Sequence, residues 1–192
     1  MIALIKTISE DQAQGLVNDQ YNANKSKTGY VANYVKAFSL RPEVYDAWEK
    51  LIGTIRPTMR LRLYELATFS SAMALHCNYC MLAHGTMLRK NFFSLDQMVA
   101  IVTDFRTAGL PPEEVAIMSF AQKVTMESHE INENDIEELH GYGFSDQEIL
   151  DVILACAARN FFAKVLSATG AKPDDVYLEL EQELRQLLIA RL

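Results

Sequence analysis

The segment Leu75-His76-Cys77-Asn78-Tyr79-Cys80-Met81-Leu82-Ala83-His84-Gly85 gathers the residue types that can do redox or acid–base chemistry. At about 100° per residue on a helix, Cys80 lies roughly 60° from Cys77 and His84 about 40° from Cys80, so the three share one face. Positions i and i+3 bring Cα atoms to about 5–6 Å, inside the window a disulfide accepts. Cys80 and His84, four apart, can meet side chain to side chain. Such a face offers two thiols able to cross-link and a base able to deprotonate one of them.

Thiolate formation alone explains little. An ordinary thiol with a pKa of about 8.5 is about 3% ionised at pH 7. Lowering that pKa by about two units raises the thiolate fraction roughly 25-fold, while intrinsic nucleophilicity falls about tenfold. Toward a peroxide, the larger benefit is a positioned acid that protonates the leaving alkoxide. His84 can be that acid once it has taken the thiol proton, and a carboxylate would orient it and stabilise the imidazolium. Glu65, twelve residues before Cys77 in the apolar stretch Leu63-Tyr64-Glu65-Leu66-Ala67, is the candidate. Its competing role is an ion pair with Arg60 or Arg62 on its own helix.

Glu65, eleven residues, Cys77-x-x-Cys80, three residues and His84 together resemble the motif of the alkyl hydroperoxidase D (AhpD)-like proteins of the carboxymuconolactone decarboxylase superfamily. The flanking Arg62-x-x-Glu65-Leu66-Ala67 and Ala83-His84-Gly85 extend the motif to about 25 residues. Chain length, helical character and the Asn160-Phe161-Phe162 segment are similar to the subgroup of peroxidase-related proteins, so the looser resemblance covers most of the chain. The resemblance implies an all-α, homo-oligomeric fold and thiol-dependent reduction of an organic hydroperoxide, recycled by a dithiol reductant. It implies that Cys80 attacks the peroxide, Cys77 resolves it as a disulfide, His84 is the acid/base and Glu65 its relay partner. Where the family's hydroperoxidase has a second relay histidine before the second cysteine, this chain has Tyr79. A phenol titrates near 10 and relays protons less readily. The decarboxylase branch has no cysteine pair, so Cys77 and Cys80 argue against that reaction.

Other uses of the same residues stay open. The thiols fit a general disulfide oxidoreductase, or a non-catalytic helical protein that senses redox state or holds zinc through Cys77, Cys80, His84 and one of His76, His129 or His140. The pair would also serve as two small buried hydrophobes. No second close ligand pair supports a metal, and a c-type haem would need histidine where Met81 stands, so no cofactor is expected. His76 either lines the site or is an ordinary polar residue at a helix end. Cys156, among alanines, is expected to pack in a core.

Positioning these residues requires helices. The 192 residues carry 49% apolar and 22% charged side chains, with a net charge of −7, which excludes a disordered chain. Nothing clusters Lys and Arg into a phosphate-tracking groove, so neither nucleic acid nor an anionic membrane is an expected partner. The apolar start, Met1 to Ile5, is too short for a signal peptide. The apolar stretch 149–166 is broken by Asp151, Arg159, Asn160 and Lys164, too polar to span a bilayer. A soluble, cytoplasmic protein is expected.

Residues 1–192 read as one all-α domain, a helical bundle with its core motif at 57–91 and C-terminal helices at 145–192. Helices are expected from Ser9 to about Ala23, Pro42 to Ile55, after Pro57 to Leu75, Asn78 to Lys90 and Leu95 to Phe105. Others should follow Pro111-Pro112, cover Ile136 to Tyr142, open at the capping box Ser145-Asp146-Gln147-Glu148 and open again at Pro173-Asp174-Asp175. Asn24 to Gly29 reads as a loop. An offset of 83 residues lays Glu148 on Glu65, and Asn160 and Ala163 on Cys77 and Cys80. A degenerate internal repeat would leave that trace, and so would two unrelated apolar helices. The terminal Leu180/Leu184/Leu187/Leu188 stripe needs a covering surface, a second ground for expecting a homo-oligomer.

Overall fold

The computed structural model describes residues 2–189. Among them run α1 (Gly15–Thr28), α2 (Asn33–Ala37), α3 (Pro42–Ile55), α4 (Leu61–Ala74) and α5 (Asn78–Asn91). These are followed by α6 (Leu95–Asp104), α7 (Pro112–Met126), α8 (Glu133–Gly141), α9 (Asp146–Thr169) and α10 (Gln182–Ile189), with short 3-10 turns but no strand. No helix among the described residues is long and apolar enough to cross a membrane.

α4 is the centre of the bundle. Every residue from Leu63 to Met73 is buried, because α5, α7 and α9 pack around it. A helix enclosed on all sides must satisfy its polar groups internally. Thr68 Oγ1 donates to the Tyr64 carbonyl, and Ser70 Oγ to the Met118 carbonyl on α7. Glu65 is the one charged side chain on this buried stretch, and its partners define the site below.

The joint between α4 and α5 sets the cysteine geometry. His76 takes a left-handed backbone (φ 51°), its amide donating to the Met73 carbonyl while the Cys77 amide reaches the Ala72 carbonyl. That is the Schellman arrangement, with histidine where glycine is usual. Cys77 is therefore the N-cap of α5, with extended backbone, rather than a residue on its helical face. The expected single face for Cys77, Cys80 and His84 holds for the last two only.

Three expectations change in ways that bear on the fold. Residues 9–12 form only a turn, and α1 starts at Gly15 and continues through the predicted loop to Thr28. Tertiary bonds hold that polar segment: Asn24 accepts from the Ala32 amide and donates to Tyr34 Oη. Pro173-Asp174-Asp175 opens a 3-10 turn (Asp175–Glu179), since the Asp174 carboxylate binds Tyr79 and the Asn33 amide instead of capping a helix. The terminal leucines are the third case. Leu180, Leu184 and Leu188 are buried within their own chain, where α10 lies against α5 and α6. A Cβ at Gly85 would come 3.0 Å from Leu188 Cδ1, so this glycine lets α10 dock. The stripe is covered intramolecularly and gives no ground for an oligomer. The offset of 83 lays the broken α4–α5 pair on α9, which runs unbroken to Thr169.

Candidate active site

Glu65 on α4 faces His84 on α5, with Oε2 2.6 Å from Nδ1. Both are buried, at 2% and 8% exposure. Glu65 also meets the Arg56 guanidinium at 3.7 Å, while Arg62 turns away to Glu114 at 2.6 Å, so no pair forms with Arg62. Burial pushes the Glu65 carboxyl up, but His84, Arg56 and Arg159 outweigh it and hold the group below its usual value. Burial, and then the charge of Arg159, push the His84 imidazole down in spite of Glu65. A neutral ring beside an ionised carboxylate puts the proton on Nδ1, donated to Glu65. Nε2 is then a free base.

The third wall comes from α9. Arg159, 6% exposed, points its Nη1 at the Cys80 sulfur, 3.8 Å away. Burial opposes its charge, yet Cys80, Tyr64 and Glu65 more than compensate and keep the guanidinium ionised. The two thiols lie close enough to shift each other's titration. The interaction with Cys80, against the cost of burial, brings the Cys77 thiol down to about 6. The interaction with Cys77, and then burial, push the Cys80 thiol well above the usual value, with Arg159 opposing. The pair thus releases one proton readily. The start of α5 favours the thiolate at Cys77.

Tyr79, between the cysteines, has its ring on the site's edge and its hydroxyl bonded to the Asp174 carboxylate, while the Tyr34 amide donates to its oxygen. Burial and then Asp174 push its phenol far above the ordinary value, so it holds its proton. A cavity of about 270 Å³ opens beside Cys80 and His84. Arg56, Glu65, Met87 and Arg159 border it, and aromatic rings from Tyr34 to Tyr177 form much of the rest. Trp48 stacks on Phe162 with centroids 4.0 Å apart, closing one side.

The structure thus brings Glu65, Cys77, Cys80 and His84 together and adds Arg159, which in the sequence is only an interruption of an apolar stretch. An arginine amid 152–163, otherwise without charge, was the available signal. His76 is exposed and lies by Cys77, outside the Cys80 cavity. His129 and His140 sit by Glu130 and Asp146 on other surfaces. Cys156 packs between α4, α7 and α9, its thiol pushed up to about 11 by burial. Among the described residues, no three His, Cys, Asp or Glu side chains are grouped to hold a metal ion.

Comparison with known proteins follows the same lines. The carboxymuconolactone decarboxylase family model matches residues 42–123. No curated protein matches the sequence. Among solved structures, an AhpD-core peroxidase-related protein from Ralstonia eutropha JMP134 superposes with a TM-score of 0.84 at 22% identity, over 100% of this chain and 98% of its own. A peroxidase-related protein from Silicibacter sp. TM1040 gives 0.81 at 24% identity, over 93% and 95%. The debrominase Bmp8, as a variant bound to 2,3,4-tribromopyrrole, gives 0.74 at 15%, over 98% and 97%. At these identities the likeness is one of fold. The family model lies across the segment that holds Glu65, the dithiol and His84, and the fold seen in the AhpD-core peroxidase-related protein extends over the whole chain.

Proposed function

We propose that the protein is a thiol-dependent peroxidase that reduces an organic hydroperoxide through a Cys77–Cys80 disulfide. The observation that carries this reading is the buried chain Glu65–His84 beside Cys80, with Arg159 on the same sulfur. His84 Nε2 takes the Cys80 proton, and Arg159 offsets the charge left on sulfur. The Cys80 thiolate attacks the distal peroxide oxygen, the O–O bond breaks, and His84 returns its proton to the leaving alkoxide. Cys77, already a thiolate, attacks the sulfenic sulfur. Hydroxide leaves as water with a solvent proton, and the disulfide closes. One hydroperoxide becomes one alcohol and one water. Tyr79 takes no proton in this scheme. Assembly with copies of itself belongs to the same proposal, supported by exposed Leu150, Leu154 and Phe161 on α9, and a monomeric sedimentation profile would contradict it.

The test is intact mass after one equivalent of cumene hydroperoxide is added to reduced protein. Loss of two hydrogens, mapped to Cys77–Cys80 and absent in Cys80→Ser, is expected. An unchanged mass with titratable thiols overturns the proposal. The aromatic cavity and the likeness to the debrominase favour one second reading, reductive removal of bromine from a brominated aromatic by the same dithiol. Bromide release from a bromopyrrole, with hydroperoxide inert, would select it.

A further inference from the structure

The two cysteines open onto different cavities. Cys80 lines the aromatic one, whereas Cys77 lines a second of about 280 Å³, bordered by His76, Asn78, Ser167 and Lys172. Tyr79 borders both, so its ring, fixed by Asp174, is part of the wall between them. The sulfur of Cys77 lies close below the surface: exposed Ser167 borders the same cavity, and its hydroxyl helps to lower the Cys77 thiol.

We propose that this second cavity admits the reductant, a low-molecular-weight peptidyl thiol carrying a carboxylate, which attacks the disulfide at Cys77. The inference rests on the Cys77–Cys80 redox cycle proposed above. Asn78 Oδ1 is buried without a hydrogen-bond partner, an acceptor waiting for an N–H. The exposed Lys172 ammonium has no carboxylate partner among the described residues. A peptide amide and a carboxylate would satisfy the two. The volume lies at the small end of ligand pockets, which fits a short peptide better than a protein loop.

The exchange balances with two thiols. The first, as thiolate, attacks Cys77 Sγ; the S–S bond breaks and its electron pair stays on Cys80, beside the Arg159 guanidinium. Cys80 takes a proton, and Cys77 carries the mixed disulfide. A second thiolate attacks the outer sulfur, freeing Cys77 and releasing the oxidised reductant. Each cysteine ends with a proton from a consumed thiol, except that Cys77 gives its own to solvent near neutral pH.

The test makes the disulfide with diamide, so no peroxide is needed. Glutathione is the probe, with 2-mercaptoethanol as an uncharged comparison. Acid-quenched intermediates should carry glutathione on Cys77. Lys172→Glu should slow the glutathione reaction about fivefold or more while changing the 2-mercaptoethanol rate less than about twofold. Glutathione found on Cys80, equal effects on both thiols, or reduction by thioredoxin but not by glutathione would each overturn the proposal. Should hydroperoxide fail to oxidise the pair while this pattern holds, the peroxidase reading falls and the reductant site stands.

Discussion

Arg159 on α9 and Cys80 on α5, 79 positions apart, meet at 3.8 Å in the interior. The charge of the guanidinium acts both on this thiol and on the Glu65 carboxylate that holds His84. It lowers the cost of a thiolate on Cys80 and, after burial, adds to what holds the His84 imidazole below its ordinary value.

Replacing this arginine separates electrostatics from packing. Arg159→Met keeps much of the length and the contact with Phe162 but removes the charge. Stabilising charge in a dry site is worth about 10- to 1,000-fold in rate. The second-order rate of disulfide formation with cumene hydroperoxide should drop at least about tenfold, with the fold retained in circular dichroism. A rate within twofold of the wild type would show that Cys80 does not depend on this cation.

Tyr79 tests the relay from the other side. Its hydroxyl serves the buried Asp174, whose carboxyl burial raises above its usual value. A raised folded pKa means that Asp174 favours the fold at low pH and that this contribution is lost as pH rises through its folded value. Tyr79→Phe removes the donor that compensates the ionised form. The variant should lose about 1–3 kcal/mol at pH 7 and less near pH 4, by urea denaturation. Its rate of oxidation by hydroperoxide should stay within about twofold of wild type, because the phenol holds its proton. A tenfold slower oxidation would return Tyr79 to the proton path.

Why was part of this site legible and part not? Local rules sufficed where the signal is local: the capping box at Ser145 opens α9, and Pro42 and Pro112 open α3 and α7. Glu65 and His84 could be paired because a motif fixes their spacing, although spacing alone left Arg62 as a rival until Glu114 was seen to take it. Arg159 and Asp174 were missed because their partners lie 79 and 95 positions away, and no periodicity encodes such a distance. The leucine stripe at the C-terminus was read correctly as needing cover, but amphipathicity does not say whose surface supplies it. Gly85 holds that answer, and only against Leu188 does the missing Cβ have a meaning.

The coupled thiols predict a two-stage titration. One proton leaves with a midpoint near pH 6, because the interaction with Cys80 favours the Cys77 thiolate, and the second is held well above the usual thiol range. Ultraviolet thiolate absorbance of the reduced Cys156→Ala protein should therefore rise by one thiolate around pH 6 and show the next only in alkali. Cys80→Ala removes that interaction, so the remaining step should move up toward about 8.5. A single step of two thiolates near that ordinary value would mean that the sulfurs do not share a proton.

His84 makes the protein acid-sensitive above the range where carboxylates titrate. In the unfolded chain the imidazole titrates near about 6.5, whereas burial and then Arg159 hold it lower in the fold. Between those values the unfolded chain binds a proton that the folded one refuses. Stability is then full above about 6.5 and falls as pH drops toward the folded value, by at most about 1.4 kcal/mol per pH unit for one site. Glu10, Glu65, Asp135 and Glu148, all held below their ordinary values, act with the same sign but at lower pH. Urea midpoints measured between pH 5.5 and 7.5 therefore separate His84 from them, and Cys77, lowered to about 6 and acting with the same sign, contributes alike to the two proteins compared next. The wild type should weaken across that interval, and His84→Gln, whose amide can still donate to Glu65, should weaken less. Equal slopes in the two proteins would mean that His84 is protonated in the fold, and that the base expected to deprotonate Cys80 is not free.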